Sequence, residues 1–370
     1  MKATNFVGTI RIAGRTVEIL PKIDSLEDAP VRCRLVEMLS VAQLVQDLKV
    51  GIASVDPSGP GLLDLYMRLY IQHMRTEWRR GQIRGYRREE KNRTALKGKL
   101  LFAQNLRRNA MHPERFFTRA DQFTADIPAS RVLKAALKVV QRGASRDVLR
   151  RDAGELLAEF EEVADENFTV EAAARIGVSR QHARFEPLLA LARMLLAARS
   201  PDGRGGEETY ALLFDMNVVF ERYVGELMRR RVCPAMGLRA DLQIRGGYLL
   251  REGARRCFAL RPDIGIYRGR TLIALLDTKW KRIDVEKSRR GVAQADLYQA
   301  YAYGREYNCG NVVLLYPDPA ETCFSLNSYR HHSSDDHCVE VATVSVGDNA
   351  AAAKASLIAS LSRILPGSQL

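Results

Sequence analysis

Arg261-Pro262-Asp263-Ile264-Gly265-Ile266-Tyr267-Arg268-Gly269-Arg270-Thr271-Leu272-Ile273-Ala274-Leu275-Leu276-Asp277-Thr278-Lys279-Trp280 holds two carboxylates fourteen positions apart and a lysine just beyond the second. Cys257 to Tyr267 and Thr271 to Trp280 are rich in β-branched, aromatic and aliphatic residues. Arg268-Gly269-Arg270 between them is a short glycine-containing turn, so the two runs are predicted to pair as an antiparallel hairpin. Side chains alternate along a strand, which places Asp277 and Lys279 on one face and turns Thr278 the other way, leaving its carbonyl near them. Asp263, near the start of the first run, is set across from the end of the second, close to Asp277. Two hard oxygen anions at that spacing suit Mg²⁺, which takes one or two carboxylates and completes its shell with water and phosphate. Lys279 then faces the attacking water or the scissile phosphate, as a magnesium-dependent phosphodiesterase requires.

A plainer reading has weight. Aspartates at strand ends are mostly solvated, and an Asp-x-Lys on a strand is mostly a surface ion pair of small energetic value. The setting counts against it here. Leu272 to Leu276 is a continuous apolar run, as expected of a central strand buried on both faces, and a charged pair ending such a strand needs a reason.

The flanks extend the pattern. Val218 to Arg230 is amphipathic, with Val219, Phe220, Tyr223, Val224 and Leu227 on its apolar side and Glu221 directed elsewhere. Asp296 to Tyr303 is helical in pattern, with Gln299 and Tyr303 one turn apart. Asn311 to Tyr316 is another apolar strand, closed by Pro317. Helix, strand, hairpin, helix, strand in that order predicts a mixed sheet flanked by helices.

Glu221, Pro262-Asp263, Asp277-Thr278-Lys279 and the Gln299 to Tyr303 pair together resemble the PD-(D/E)xK nuclease core. More narrowly, the chain resembles the McrC family, the nuclease subunits of McrBC modification-dependent restriction systems. Three further stretches carry that likeness: Val7-Gly8-Thr9-Ile10 followed by Glu18-Ile19-Leu20-Pro21-Lys22-Ile23, then Lys97-Gly98-Lys99-Leu100, and Phe220-Glu221-Arg222-Tyr223-Val224. The resemblance implies an α/β mixed fold, with a carboxy-terminal restriction-endonuclease-like core preceded by a mostly helical α+β amino-terminal domain. It implies that Asp263 and Asp277, with the carbonyl of Thr278, bind Mg²⁺ or Mn²⁺, that Lys279 is catalytic, and that Glu221 and Gln299 support the site. Tyr303 reads as packing, since aromatic residues at helical spacing mostly fill cores. The partners it implies are double-stranded, modified DNA and a McrB-like, GTP-hydrolysing AAA+ ring that the chain stimulates. No Gly-x-x-x-x-Gly-Lys-Ser/Thr occurs, so the chain itself is expected to bind no nucleotide.

Composition agrees. The 370 residues are 46% apolar and 27% charged, ordinary for a globular protein long enough for two domains. A net charge of +13 favours a polyanionic partner. Between Arg84 and Arg119, eleven Lys or Arg face three Glu, with Tyr86, Phe102, Phe116 and Phe117 interspersed. That segment, expected as mixed strand and loop, suits either a phosphate backbone or an acidic protein surface. Cys33, Cys233, Cys257, Cys309, Cys323 and Cys338 have no Cys-x-x-Cys spacing and read as reduced thiols. His331 to His337 reads as an exposed polar loop rather than a metal site. With no signal peptide or membrane span in view, the expected location is cytoplasmic.

Arg199 to Glu208 is the clearest linker, and the chain is cut between 203 and 204. The part from 1 to 203, a strand hairpin about Gly14-Arg15 and then helices near 31–49, 61–80, 130–142, 146–164 and 185–198, is expected to contact the ring and to be a second candidate for DNA contact. Residues 204–370 are the expected endonuclease. Two other readings stay open: a stand-alone RecB-like repair or recombination nuclease, and a non-catalytic, DNA-binding adaptor of an AAA+ ring.

Overall fold

A computed structural model of the chain describes residues 5–12, 15–23, 28–44, 61–200, 209–283, 291–318, 325–330 and 337–365. Residues 13–14 of the first turn, the expected helix beyond 44, residues 201–208 of the linker, Cys323 and the loop 331–336 lie outside these. Packing divides the chain into one unit of Met1–Thr9, Val17–Gly59 and Leu213–Leu370 and a second of Ile10–Thr16 and Pro60–Leu212. This differs from a single cut between 203 and 204. The reason is long-range packing: α1 lies on a helix of the carboxy-terminal half, described below.

The amino-terminal strands are β1 (Phe6–Ile12) and β2 (Arg15–Ile19), followed by helix α1 (Asp28–Val41). The second unit follows with α2 (Leu62–Arg79), β3 (Gly85–Arg93), β4 (Lys99–Leu100), α3 (Phe102–Asn109), β5 (Phe116–Thr124), α4 (Pro128–Gly143), α5 (Asp147–Ala158), α6 (Val170–Arg175), α7 (Glu186–Ala198) and β6 (Arg199–Ser200). Pro128 and Pro187 stand at the starts of α4 and α7, where a missing N–H is harmless. The helical core closes on Trp78, stacked on Phe160 at 4.3 Å and edge-on to Phe185. The basic segment forms the antiparallel sheet β3-β5-β4 and, against expectation, a helix, α3. Part of its charge is used internally: Arg93 pairs with Glu89, Arg119 with Glu90, and Arg87 with Asp126.

The rest of the first unit runs through β7 (Thr209–Asp215), α8 (Met216–Leu227), a π turn (Met228–Val232), α9 (Cys233–Ala235), β8 (Arg239–Leu242), β9 (Gly247–Glu252), β10 (Arg255–Leu260), β11 (Ile264–Arg268), β12 (Thr271–Thr278), α10 (Gln294–Glu306), β13 (Asn311–Asp318), β14 (Ser325–Arg330), β15 (Cys338–Ser345) and α11 (Ala350–Ile364). Six strands form one mixed sheet in the order β14-β15-β13-β12-β11-β8, so the expected mixed α/β architecture is present. β12, β13 and β15 run parallel, and Ala274 to Leu276, Val312 to Tyr316 and Val341 to Ala342 are buried, as apolar runs covered on both faces require. Ala300 and Tyr303 of α10 pack on Leu275, Val312 and Leu314, while α8 packs on β12 and α11 on β15.

One strand expectation is corrected. Cys257 to Tyr267 is two strands, because Pro262 offers no amide hydrogen to a ladder. β10 pairs with β9 in a separate ribbon, and only Ile264–Arg268 pairs with β12. Among the described residues no helix is long and apolar enough to cross a membrane, and Cys33, Cys233, Cys257, Cys309 and Cys338 are free thiols.

Candidate active site

Register brings the first two carboxylates together. Ile264 sits opposite Leu276, so Asp263 and Asp277 follow at the same end of the β11–β12 pair. Beyond the last backbone pair, Asp263 extends the ladder with its side chain. Its Oδ2 accepts from the Thr278 N–H and the Thr278 hydroxyl, both at 2.7 Å. Thr278 therefore does not simply turn away, as strand alternation predicts. At the strand's end its hydroxyl reaches back and fixes the neighbouring carboxylate.

Asp277 closes a strand held between β11 and β13, and is only 2% exposed. Lys279 Nζ stands 2.6 Å from its Oδ2. That contact is an ion pair without hydrogen-bond directionality, and no other donor reaches this buried oxygen. The Lys279 N–H donates to the Leu315 carbonyl at 2.8 Å, which holds the backbone beside β13 after the strand has ended. The Lys279 ammonium also donates to Gln299 Oε1 at 3.0 Å, and Gln299 Nε2 donates to the Tyr303 hydroxyl at 2.6 Å. Tyr303 in turn donates to the Arg261 carbonyl at 3.3 Å. Gln299 and Tyr303, one turn apart on α10, thus connect the lysine to the segment carrying Asp263. Tyr303 packs in the core, as its pattern predicts, and its hydroxyl joins this network as well.

Glu221, on the solvent-side edge of α8, belongs to the same cluster. Burial, and then the nearby charges of Asp263 and Asp277, push its carboxyl up to about 7. Burial and the Asp263 charge raise Asp277 to about 6, and burial raises Asp263 against the lowering effect of its two Thr278 bonds. Three carboxyls facing one ammonium repel one another when ionised. A divalent cation would relieve that repulsion and engage the buried Asp277 carboxylate, so this donor set fits Mg²⁺. The fit is through two aspartates and a backbone carbonyl, since among the described residues no cluster of three or more His, Cys, Asp or Glu side chains forms a ready metal cage.

Sequence reasoning missed two groups here. Gln243, just after β8, donates through Nε2 to Glu221 Oε1, and its backbone N–H donates to the Asp263 carbonyl at 2.7 Å. Its φ of +52° is uncommon for a residue with a side chain, and no local pattern announces it. Lys281 binds Asp296 through both carboxylate oxygens, at 2.8 and 2.9 Å, while the buried Tyr316 hydroxyl donates to Asp296 at 3.0 Å. The alternation Asp277, Lys279, Lys281 is a signal that does point to this second lysine. Trp280 packs on Phe220 of α8, with ring centroids 5.4 Å apart.

A family model described as McrBC 5-methylcytosine restriction system component matches residues 1–317. No match is found among curated proteins. Among solved structures, the fold matches a chain of a refined half-complex from the tetradecameric assembly of Thermococcus gammatolerans McrB AAA+ hexamers with bound McrC. The TM-score is 0.73 at 18% identity, over 98% of this chain and 83% of that one. A chain of the cryo-EM structure of the Thermococcus gammatolerans McrBC complex matches with a TM-score of 0.51 at 21% identity, over 61% of this chain and 66% of that one. Identities this low carry the fold alone. The family model, spanning most of the sequence from the amino-terminal strands to β13, carries more: the chain belongs to the McrBC 5-methylcytosine restriction system component family.

Proposed function

We propose that the chain is the Mg²⁺-dependent DNA endonuclease subunit of a McrBC-type restriction system, acting with a McrB-like, GTP-hydrolysing AAA+ ring and stimulating its hydrolysis. What carries this reading is the Lys279 ammonium, 2.6 Å from Asp277 and braced by Gln299, at the strand end where Asp263 also arrives. That is the arrangement expected of a PD-(D/E)xK site. The ring partner is inferred from the structural neighbour whose description pairs McrB AAA+ hexamers with McrC. The lack of a phosphate-binding loop assigns nucleotide hydrolysis to that partner.

Asp263, Asp277 and the Thr278 carbonyl would hold the metal, which when bound supplies an acidified water and neutralises charge on the phosphate. Thr278 orients Asp263 by two hydrogen bonds, so the carboxylate need not reorganise on binding. Gln299 accepts from the Lys279 ammonium and holds it beside Asp277, where it would stabilise negative charge developing on the phosphate. Glu221, held by Gln243, adds a third carboxyl facing the same space. The amino-terminal part, residues 1–203, is the proposed contact with the ring.

Asp277→Asn tests the reading, since it removes one anionic ligand with little change in volume. Cleavage of modified duplex DNA, assayed with partner, nucleotide and Mg²⁺, is expected to vanish while the fold and DNA binding survive. A variant cutting at the parent's rate refutes the assignment. Lys279→Ala is expected to lower the cleavage rate by on the order of a hundredfold and DNA affinity far less. Equal losses in both would reduce Lys279 to a simple phosphate contact.

A further inference from the structure

Between β8 and β11 the chain leaves the six-stranded sheet as the two-stranded ribbon β9–β10 and returns three residues before Asp263. Its root is fixed to α10. The Gly247 N–H donates to the Tyr307 hydroxyl at 3.0 Å, the Tyr248 N–H to Glu306 at 3.2 Å, and the Tyr307 hydroxyl to the Leu260 carbonyl at 2.8 Å. A Cβ on Gly247 would stand 2.7 Å from the Tyr307 ring, so ribbon and helix meet at van der Waals contact. The tip is free: Gly253 takes the left-handed turn at φ +61°, and a Cβ there would meet nothing within 4 Å.

What this arm presents is positive charge beside exposed apolar side chains. Arg245, Arg251, Arg255, Arg256 and Arg261 face a single acid, Glu252, and among the described residues none of the five takes an ion pair. Three arginines of β3 and β5, by contrast, are neutralised close by, Arg93 by Glu89, Arg119 by Glu90 and Arg87 by Asp126. Register sets Arg251 directly across from Arg256. Like charges opposed on a ribbon are destabilising, and an anion between them reverses the sign. Phe258 lies between the paired positions Cys257 and Ala259, is 69% exposed, and holds φ at +58°, a conformation a bulky residue rarely adopts. Leu249 and Leu250 on the facing strand are half exposed as well.

We propose that the β9–β10 arm grips duplex DNA beside the Asp263–Asp277 site, Arg251 and Arg256 taking backbone phosphates and Phe258 entering the base stack. A two-stranded ribbon is narrow enough for a DNA groove, and apolar side chains wedged between base steps bend a duplex and open it to more protein surface. The arm's root lies three residues from Asp263, so a duplex held there is delivered to the carboxylates. The inference rests on the nuclease reading for its substrate, and the experiment separates the two.

The full-length chain is titrated in EDTA with a short duplex carrying 2-aminopurine, followed by anisotropy and base fluorescence over a range of KCl. Phe258→Ala is expected to weaken binding about tenfold, the range of one lost stacking contact, to leave the salt dependence unchanged, and to abolish the rise in 2-aminopurine fluorescence. Arg251→Gln with Arg256→Gln is expected to reduce the slope of log K against log salt by about two. These side chains are exposed and take no ion pair, Arg256 lying over the Tyr248 ring at 5.7 Å, so unchanged circular dichroism and melting temperature serve as the folding control. Variants that bind with the parent's affinity and slope overturn the proposal. So does retained DNA binding combined with lost association to a protein, which would make the arm a protein-docking surface. A parent that binds through the arm yet cuts nothing when partner, nucleotide and Mg²⁺ or Mn²⁺ are all supplied supports the arm and refutes the nuclease reading.

Discussion

Lys279 has two neighbours that do different work: Asp277 makes its charge necessary and Gln299 gives it a direction. Gln299→Leu keeps the side chain's length but leaves the ammonium unbraced. Cleavage is expected to fall about ten- to hundredfold, as for other residues that orient a ligand or catalytic group, with the melting temperature nearly unchanged. Glu221 gives a pH test. Its folded value of about 7 lies above an unfolded carboxylate's, so its favourable contribution is present below about pH 4.5 and lost as pH rises through 7. Above pH 7 the metal-free protein therefore holds an ionised, half-buried carboxylate beside two others. Glu221→Gln is expected to stabilise the metal-free chain at pH 8 by on the order of 2 kcal/mol, allowing for partial solvent screening, and to do nothing at pH 4. Thermal unfolding in EDTA at the two pH values measures both. A variant less stable than the parent at pH 8 would mean that the Gln243 bond outweighs the burial of charge.

At the scale of elements, local patterns were readable and their junctions were not. β12 is legible because five apolar residues end on Asp-x-Lys, and β11 because Gly269 supplies the turn. Pro262 already carried the information that splits β10 from β11, yet apolar content on both sides hid it. The Thr278 to Asp263 bond and the Gln243 to Glu221 bond form where pairing stops, and no periodicity describes such places. The same holds in the second unit at Asp126, between β5 and α4. Arg131 grips it from α4 with Nε and Nη2, the Ala164 N–H donates to it at 3.1 Å, and Arg87 reaches it from β3. The Arg131 hydrogen bonds, ahead of the other contacts, lower its carboxyl to about 2. A depressed value contributes stability above the unfolded pKa and loses it as pH falls through the folded one. Asp126 should thus contribute about 2 kcal/mol at neutral pH, lost between about pH 4 and pH 2. Asp126→Asn is expected to lose that stability at pH 7 and to flatten this part of the acid-unfolding curve, read by circular dichroism.

For the molecule as a whole, the discontinuous first unit is the feature least visible in sequence, because it depends on contacts between residues more than 170 positions apart. α1 packs on α8, and Glu37 Oε1 accepts from the Ala350 N–H at 2.9 Å, closing the first turn of α11. Leu35, Val36, Met38 and Leu39 are essentially without solvent contact. At roughly 1.5–3 kcal/mol for each fully buried aliphatic side chain, these four contribute on the order of 6–12 kcal/mol. That is comparable to the whole stability of a typical domain. A fragment of residues 204–370, the natural choice from the linker in the sequence, would lack α1 and bare the apolar face of α8. It is expected to aggregate or to unfold without a cooperative transition. Co-expression with residues 1–59 should restore a single cooperative melt, since those residues supply α1 together with Glu37. If the 204–370 fragment alone melts cooperatively at the temperature of the intact unit, then α1 is an appendage rather than part of the first unit's core.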